Sequence, residues 1–311
     1  MYITTGSRLH VTLLDMNGEI GRVDGSLGIY IQQPSIHAKI RRSSTVSINN
    51  DVASDVYFKM SHIFDSVTPV KIDLHSYDQH IGLGSKTQTS LAVGMLLSSY
   101  FNLGCTPFEI ASILGRGGTS GIGVHAFCRG GFLVDAGHEF GDKNSKSTFS
   151  PSSFSSAPLA PLITRLDFPK WPIAVVIPKI SQRMFGDAEM NFFQSNCPIS
   201  RFEVEKLIHR VMMNLIPSIL DEDISLFCDT INFIQTIGFK KLEVNNLSEE
   251  IKVTMDYIRS KTGAAVGLTS FGPTFYVIGD SVYDIESLLE NRIEADVIYT
   301  TALNEGAKLV E

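Results

Sequence analysis

Several things are scarce in this sequence, and each shortage narrows what the chain can be. Its 311 residues include only four cysteines, Cys105, Cys128, Cys197 and Cys228, widely scattered and without a Cys-x-x-Cys pair. That spacing argues against a structural zinc site, and a disulfide framework is implausible in a chain of this length. Basic residues are outnumbered, 26 Lys and Arg against 33 Asp and Glu, for a net charge of −7. A protein that binds nucleic acid broadly needs the opposite balance to replace counterions. No uninterrupted apolar stretch reaches membrane-spanning length. The start, "MYITTGSRLHVTLLD", has neither the basic residues nor the apolar run of a signal peptide. These absences lead to the expectation of a soluble cytoplasmic protein with small-molecule partners, no nucleic acid and no membrane. No internal repeat is evident.

Hydrophobic residues make up 43% and charged residues 19%, enough to bury a sizeable core. Alternation and β-branched content predict strands in "RLHVTLL", "LGIYIQQ", "HAKIRR" and "VKIDLHS". A helical spacing lies between the last two, with Asp51 or a polar neighbour as its cap. Helices are expected at 87–100 and 107–114, the second with proline in its first turn. "VHAFC" and "GFLVD" read as strand-like, and residues 139–161, rich in Ser and Pro, as a mobile loop, a lid or a domain crossing. Beyond them come a buried strand "PIAVVIP" and helices in "ISRFEVEKLIHRVMMNLIPSIL", "ISLFCDTINFIQTIG" and "LSEEIKVTMDYIRSKTG". Then "AAVGLTSFGPTFYVIG", a helix "DIESLLENRI" and a strand "DVIYTTAL" close the chain. The order fits two α+β domains, 1–165 and 166–311.

Two glycine-rich turns carry the chemistry. "GLGSKTQTSLA" runs from a turn into a helix start, where unpaired N–H groups and the helix dipole favour an anion. Gly82 and Gly84 permit close approach, Ser85 and Thr87 add donors, Lys86 adds a cation, and His80 precedes the turn. An ordinary helix start capped by Ser85 is the plain alternative. Neither the Walker A spacing nor Gly-x-Gly-x-x-Gly is present. "GRGGTSGIG" (115–123) is the second turn, bearing Arg116, Ser120 and Gly121.

Together with "GLTSFGPTFYVI" (267–278), these turns resemble, in order, the motifs of the GHMP superfamily of small-molecule kinases. The resemblance implies a ribosomal-S5-like N-terminal domain and a ferredoxin-like C-terminal domain. Where those kinases carry the aspartate of Ser-Gly-x-Asp, this chain has Gly123, which can neither take a proton nor pair with a lysine. "NGEIGRVDG" (17–25) and "GRGGTSGIG" are more specific, and with the rest of 114–138 they resemble the β-ribofuranosylaminobenzene 5′-phosphate synthase family of methanopterin biosynthesis. Lys86 stands where that family's loop usually has glycine.

The resemblance implies a phosphoribosyltransferase that condenses 4-aminobenzoate or 4-hydroxybenzoate with 5-phosphoribosyl 1-diphosphate, releasing carbon dioxide and diphosphate. The first glycine loop, its helix and Mg²⁺ are then expected to hold the diphosphate. Arg8, Arg22 and Arg116 can grip a carboxylate or phosphate as a fork. Asp24 could orient Arg22 or bind metal, and Asp135 with His138 could shuttle a proton or meet Mg²⁺ through water. His10 and Asp15 are weaker candidates, better suited to packing and turn formation. The paired acids and Thr-Gly of class I phosphoribosyltransferases are absent; "DEDI" (221–224) has no Thr-Gly behind it. A GHMP-type kinase with its base elsewhere and a ligand sensor are the alternatives, and a homodimer is compatible with the apolar helices.

Overall fold

In the computed structural model, residues 1–142, 144–179 and 184–311 are described. Strands β1 (Tyr2–Asp15) and β2 (Arg22–Arg42) form a long antiparallel ribbon that begins the first sheet. Its turn is set by Asp15, whose Oδ1 accepts from the N–H groups of Asn17 and Gly18. β3 (Ser47–Ile48), helix α1 (Asp51–Ile63) and β4 (Val70–His75) follow, α1 being capped by Asn50 rather than Asp51. Then come α2 (Ser85–Tyr100), α3 (Pro107–Ile113), α4 (Ile122–Arg129), β5 (Phe132–Asp135), β6 (His138–Glu139) and β7 (Leu162–Leu166).

β8 (Ile173–Pro178) opens a second, four-stranded sheet that β9 (Ala265–Leu268), β10 (Phe275–Ile278) and β11 (Ala295–Thr300) complete in the order β11-β8-β10-β9. Between β8 and β9 lie α5 (Asp187–Asn196), α6 (Arg201–Arg210), α7 (Ile216–Leu220), α8 (Ile224–Ile234), α9 (Gly238–Asn245) and α10 (Glu249–Thr262). After α11 (Ile285–Leu289) the chain returns, and β12 (Lys308–Val310) pairs with β1 in the eight-stranded first sheet.

The two sheets share a core. Leu9, Val11 and Ile29 of the first pack in one cluster with Val175 and Tyr276 of the second, and with Ile81 and Leu83 of the glycine turn. Burying that cluster fixes the turn where the sheets meet. The outer core of the first sheet is covered by α1, α2 and α3, and that of the second by α10 and α11. No described helix is long and apolar enough to cross a membrane.

One expectation is corrected and one is refined. "VHAFC" is not a strand but most of α4. Ile122 and Ala126 pack into one cluster and Val124 and Phe127 into another, so the helix is buried on two faces, and its apolar run is too short to be told from a strand by period. The helix expected in 199–220 runs without a break from Arg201 to Leu220, with a π-turn at Val211–Leu215 joining α6 to α7. Pro217 stands at the start of α7 and lacks an N–H, while the Ile216 N–H reaches back to the Val211 carbonyl. The sequence pattern assigns no element to α5 or α9.

Candidate active site

A cavity of about 510 Å³ opens where the two glycine turns face the β9–β10 turn, α5 and α9. The first turn is built around glycines with φ of +87° at Gly82 and +77° at Gly84. A Cβ at Gly82 would stand 2.3 Å from the Thr269 carbonyl oxygen, and one at Gly84 3.0 Å from Arg8 Cγ. Only glycine lets this turn sit between the two sheets. Thr269 Oγ1 and Arg8 Nη1 both donate to the Gly82 carbonyl, at 2.8 and 2.9 Å.

α2 then begins with no side chain capping its first N–H groups. Ser85 does not serve as that cap; its Oγ donates to the Tyr77 carbonyl at 3.2 Å. The uncapped helix start therefore faces the cavity with Lys86 exposed beside it and Thr87 lining the wall. His80 also lines the cavity, its ring 4.8 Å from that of Phe185.

The second turn supplies Arg116, Thr119 and Ser120 to the same space. Arg116 is half-buried, and its Nε is buried without a hydrogen-bond partner. Burial lowers its pKa, as it does that of Arg8, pushed down to about 10 against the pull of Tyr77, Glu189 and Glu243. Both guanidiniums stay charged at neutral pH.

Gly123 lies in the first turn of α4, against α2. A Cβ there would approach Thr87 Cγ2 to 3.1 Å, and Gln88 Nε2 donates to the Gly123 carbonyl at 2.8 Å. The position is lined by helix-to-helix packing, with no carboxylate on it.

Arg22, Asp24, Asp135 and His138 stand behind this wall, outside the residues that line the cavity. Arg22 donates through Nε to the Ala136 carbonyl at 2.6 Å and through Nη2 to that of Gly137 at 3.2 Å. Asp135 takes the place of a cap on α4: its Oδ2 accepts from the Gly121 N–H at 2.9 Å and from Ser26 Oγ, and its Oδ1 from the Gly137 N–H at 3.0 Å. Burial pushes its carboxyl up to about 6, with these donors pulling the other way. Ser120 Oγ lies 2.7 Å from Ser26 Oγ, so the Asp135 network reaches the wall through one hydroxyl. Gly121 is part of that support.

Asp24 joins His138 Nδ1 at 2.7 Å and Lys146 Nζ at 2.9 Å. His138 Nε2 reaches the Pro158 carbonyl at 2.8 Å, and Lys146 also donates to Thr119 Oγ1 and the Ser150 carbonyl. Residues 146–158 are thereby pinned onto the second turn, with residues 151–154 lining the cavity. Lys146 is one of two lysines in a Ser-rich stretch, and no periodicity marks it as buried.

α5 and α9 bring groups that sequence reasoning missed. Glu189 and Phe193 line the cavity from α5, and Glu243 from α9, held by Lys240 at 2.5 Å. The only available signal was the spacing, i to i+4 on α5 and i to i+3 on α9. His10 lines the cavity with Nδ1 unpartnered, and its neutral form is favoured by burial and by the charges of Arg8 and Lys240. Among the described residues no group of three or more His, Cys, Asp or Glu side chains is gathered to hold a metal.

No protein-family model matches the chain. Curated relatives do. A β-ribofuranosylphenol 5′-phosphate synthase of Archaeoglobus fulgidus is 39% identical over 99% of this chain and 98% of its own. The chain belongs to that synthase family. A second member, from Methanocaldococcus jannaschii, is 38% identical over 99% of this chain and 100% of its own. The family places the chain among enzymes that transfer a pentosyl group.

Solved structures share the fold. A Streptococcus pneumoniae phosphomevalonate kinase superposes with a TM-score of 0.70 at 10% identity, covering 97% of this chain and 99% of its own. A Listeria monocytogenes structure described as a putative homoserine kinase gives 0.66 at 16% identity, covering 99% and 98%. Likeness at such identities speaks for the fold alone, which is that of the GHMP kinases.

Proposed function

We propose that the cavity joins 4-hydroxybenzoate to 5-phosphoribosyl 1-diphosphate in methanopterin biosynthesis, releasing carbon dioxide and diphosphate. The observation that carries this reading is the near full-length identity of 38–39% to synthases whose name gives a ribofuranosylphenol 5′-phosphate as product. A phenol product favours the 4-hydroxy acid over 4-aminobenzoate as acceptor.

The geometry supports each need of that reaction. The uncapped start of α2, with Lys86 and the unpartnered Arg116, suits a departing diphosphate. Loss of diphosphate leaves an oxocarbenium-like ribose that water would trap, and the pinned residues 151–154 cover that side. The ring carbon that bears the carboxylate attacks ribose C1′, and the electrons of the C–CO₂ bond then return to the ring. Arg8, which lines the same cavity, is the guanidinium left to hold the carboxylate until that step. Gly123 leaves phosphoryl transfer without its acid, which weighs against a kinase.

Mg²⁺ belongs to the proposal as counter-ion of the diphosphate. Of the cavity's carboxylates, Glu243 is taken by Lys240, and the described residues gather no cage of side chains for the ion. A cytoplasmic location fits the four free cysteines.

The test is release of labelled carbon dioxide from carboxyl-labelled 4-hydroxybenzoate by pure protein with phosphoribosyl diphosphate and Mg²⁺. Release that requires the diphosphate sugar is expected. Folded protein that releases none from either benzoate rules the reading out.

A further inference from the structure

We propose that Glu189 is the base that takes the 4-hydroxyl proton of the acceptor, and so sets how the enzyme uses hydroxy- and amino-benzoates; this rests on the synthase reading above. Glu189 and Phe193 stand one helical turn apart on α5, and both line the cavity. Phe271 faces Phe193 across 5.9 Å between ring centroids, and Phe185 and Phe154 line the same space. An aromatic acceptor finds apolar walls there, with one carboxylate among them.

That carboxylate is available. Glu243, the other carboxylate in the cavity, is locked to Lys240 at 2.5 Å. Among the described residues Glu189 makes no hydrogen bond or ion pair of its own. The charges that face it are Arg8 from β1 and Glu243 with its partner Lys240 from α9. Burial and then the Glu243 charge push its carboxyl up to about 7, with Arg8 opposing. A base poised near neutrality suits a phenolic proton better than an ordinary glutamate does.

The proton balance closes. Glu189 accepts the hydroxyl proton, and the oxygen's charge moves through the ring to C1. C1 bonds ribose C1′ as diphosphate leaves, giving a cyclohexadienone that carries the carboxylate on its tetrahedral carbon. The C–CO₂ bond then breaks, carbon dioxide leaves, and the electron pair restores the aromatic ring. The phenolate oxygen recovers its proton from Glu189. With 4-aminobenzoate the neutral amine already donates its lone pair into the ring, so the same step needs no base.

Glu189→Gln separates the two acceptors within one protein. With phosphoribosyl diphosphate and Mg²⁺, kcat/KM for 4-hydroxybenzoate is expected to fall about 100-fold or more, the scale of a lost general base. For 4-aminobenzoate it is expected to stay within roughly fivefold, which also shows that the variant folds. An equal loss with both acceptors would mean that Glu189 only holds Arg8 in place, and overturns the proposal. Should the wild type use the hydroxy acid alone, the pH profile decides. An acid limb near pH 7 that disappears in Glu189→Gln supports the base, and an unchanged limb overturns it. A wild type inactive with both acceptors removes the synthase reading and this inference together.

Discussion

Lys146 Nζ lies 3.0 and 2.9 Å from the two carboxylate oxygens of Asp24, across 122 residues of sequence, and both side chains are buried. Burial lowers the Lys146 pKa, and the Asp24 charge and hydrogen bonds are the largest opposing influence. Lys146→Met leaves Asp24 with His138 alone and should cost about 3–5 kcal/mol, as for other broken buried pairs. Asp24→Asn with Lys146→Met should cost less than the two single changes added. Denaturant unfolding gives both numbers. Limited proteolysis should find segment 139–161 cut well before the variant unfolds globally.

The anion cradle can be weakened without touching the core. Lys86→Ala, at an exposed position, should raise the KM for phosphoribosyl diphosphate about tenfold with kcat nearly kept, and change stability by less than about 0.5 kcal/mol. Ser85→Ala takes the donor from the Tyr77 carbonyl, so it should lower stability by about 1 kcal/mol and raise the KM for the diphosphate sugar only through a loosened turn. Arg116→Ala should cost about 10- to 100-fold in kcat/KM, the range of one charge-assisted hydrogen bond. Initial rates over a matrix of both substrates separate these effects. Turnover unaffected by all three changes would reduce the loop to a plain helix start.

Gly123 gives a sharper test, because the kinase acid can be put back. In Gly123→Asp the new Cβ meets Thr87 Cγ2 at 3.1 Å, a contact the threonine can relieve by a few tenths of an ångström. A carboxylate then stands beside the diphosphate cradle, and use of phosphoribosyl diphosphate should drop about 100-fold through like-charge repulsion and lost packing. ATP turnover with sugar or mevalonate-like alcohols should stay at background. Phosphoryl transfer appearing in this variant would show that the cavity lacks only one side chain for kinase chemistry.

His10 predicts the pH dependence of stability. Burial and the charges of Arg8 and Lys240 hold its folded pKa well below 6.5. Below pH 6.5 the unfolded chain therefore binds a proton that the native protein does not, and stability is lost as the pH falls. The slope from one such group approaches about 1.4 kcal/mol per pH unit. His10→Gln should remove that slope between pH 6 and 5, read as the difference between urea midpoints of the two proteins. Parallel pH curves for both would place the missing proton elsewhere.

The motifs were legible because backbone geometry dictates their residues. Gly82 and Gly84 could be picked out since no side chain fits between Arg8 and Thr269, and the fold followed from the order of such turns. The long first strands, β8 and α10 could be read from period and composition. α4 could not, because a helix buried on both sides looks like any short apolar run. Nor could the division of labour among acids and bases. Asp24, Asp135 and His138 sit in the specific motifs, yet their side chains point into the support behind the wall. Glu189 and Glu243 lie outside every motif and reach the cavity only through the packing of α5 and α9. Which carboxylate meets solvent and which meets a lysine is a tertiary fact, and short-range pattern holds no trace of it.

The strand β12 sets Val310 opposite Tyr2 and Leu309 opposite Ile3. The first sheet is thus closed by residues about three hundred positions apart, a contact of very large sequence separation. During synthesis the free edge of β1 stays open while the whole second sheet is made. Any protein fused at the far end will be held beside the first residues, so a donor and an acceptor dye attached at the two ends would report completion of the fold directly. Energy transfer between them should rise last in refolding, after the helices have formed.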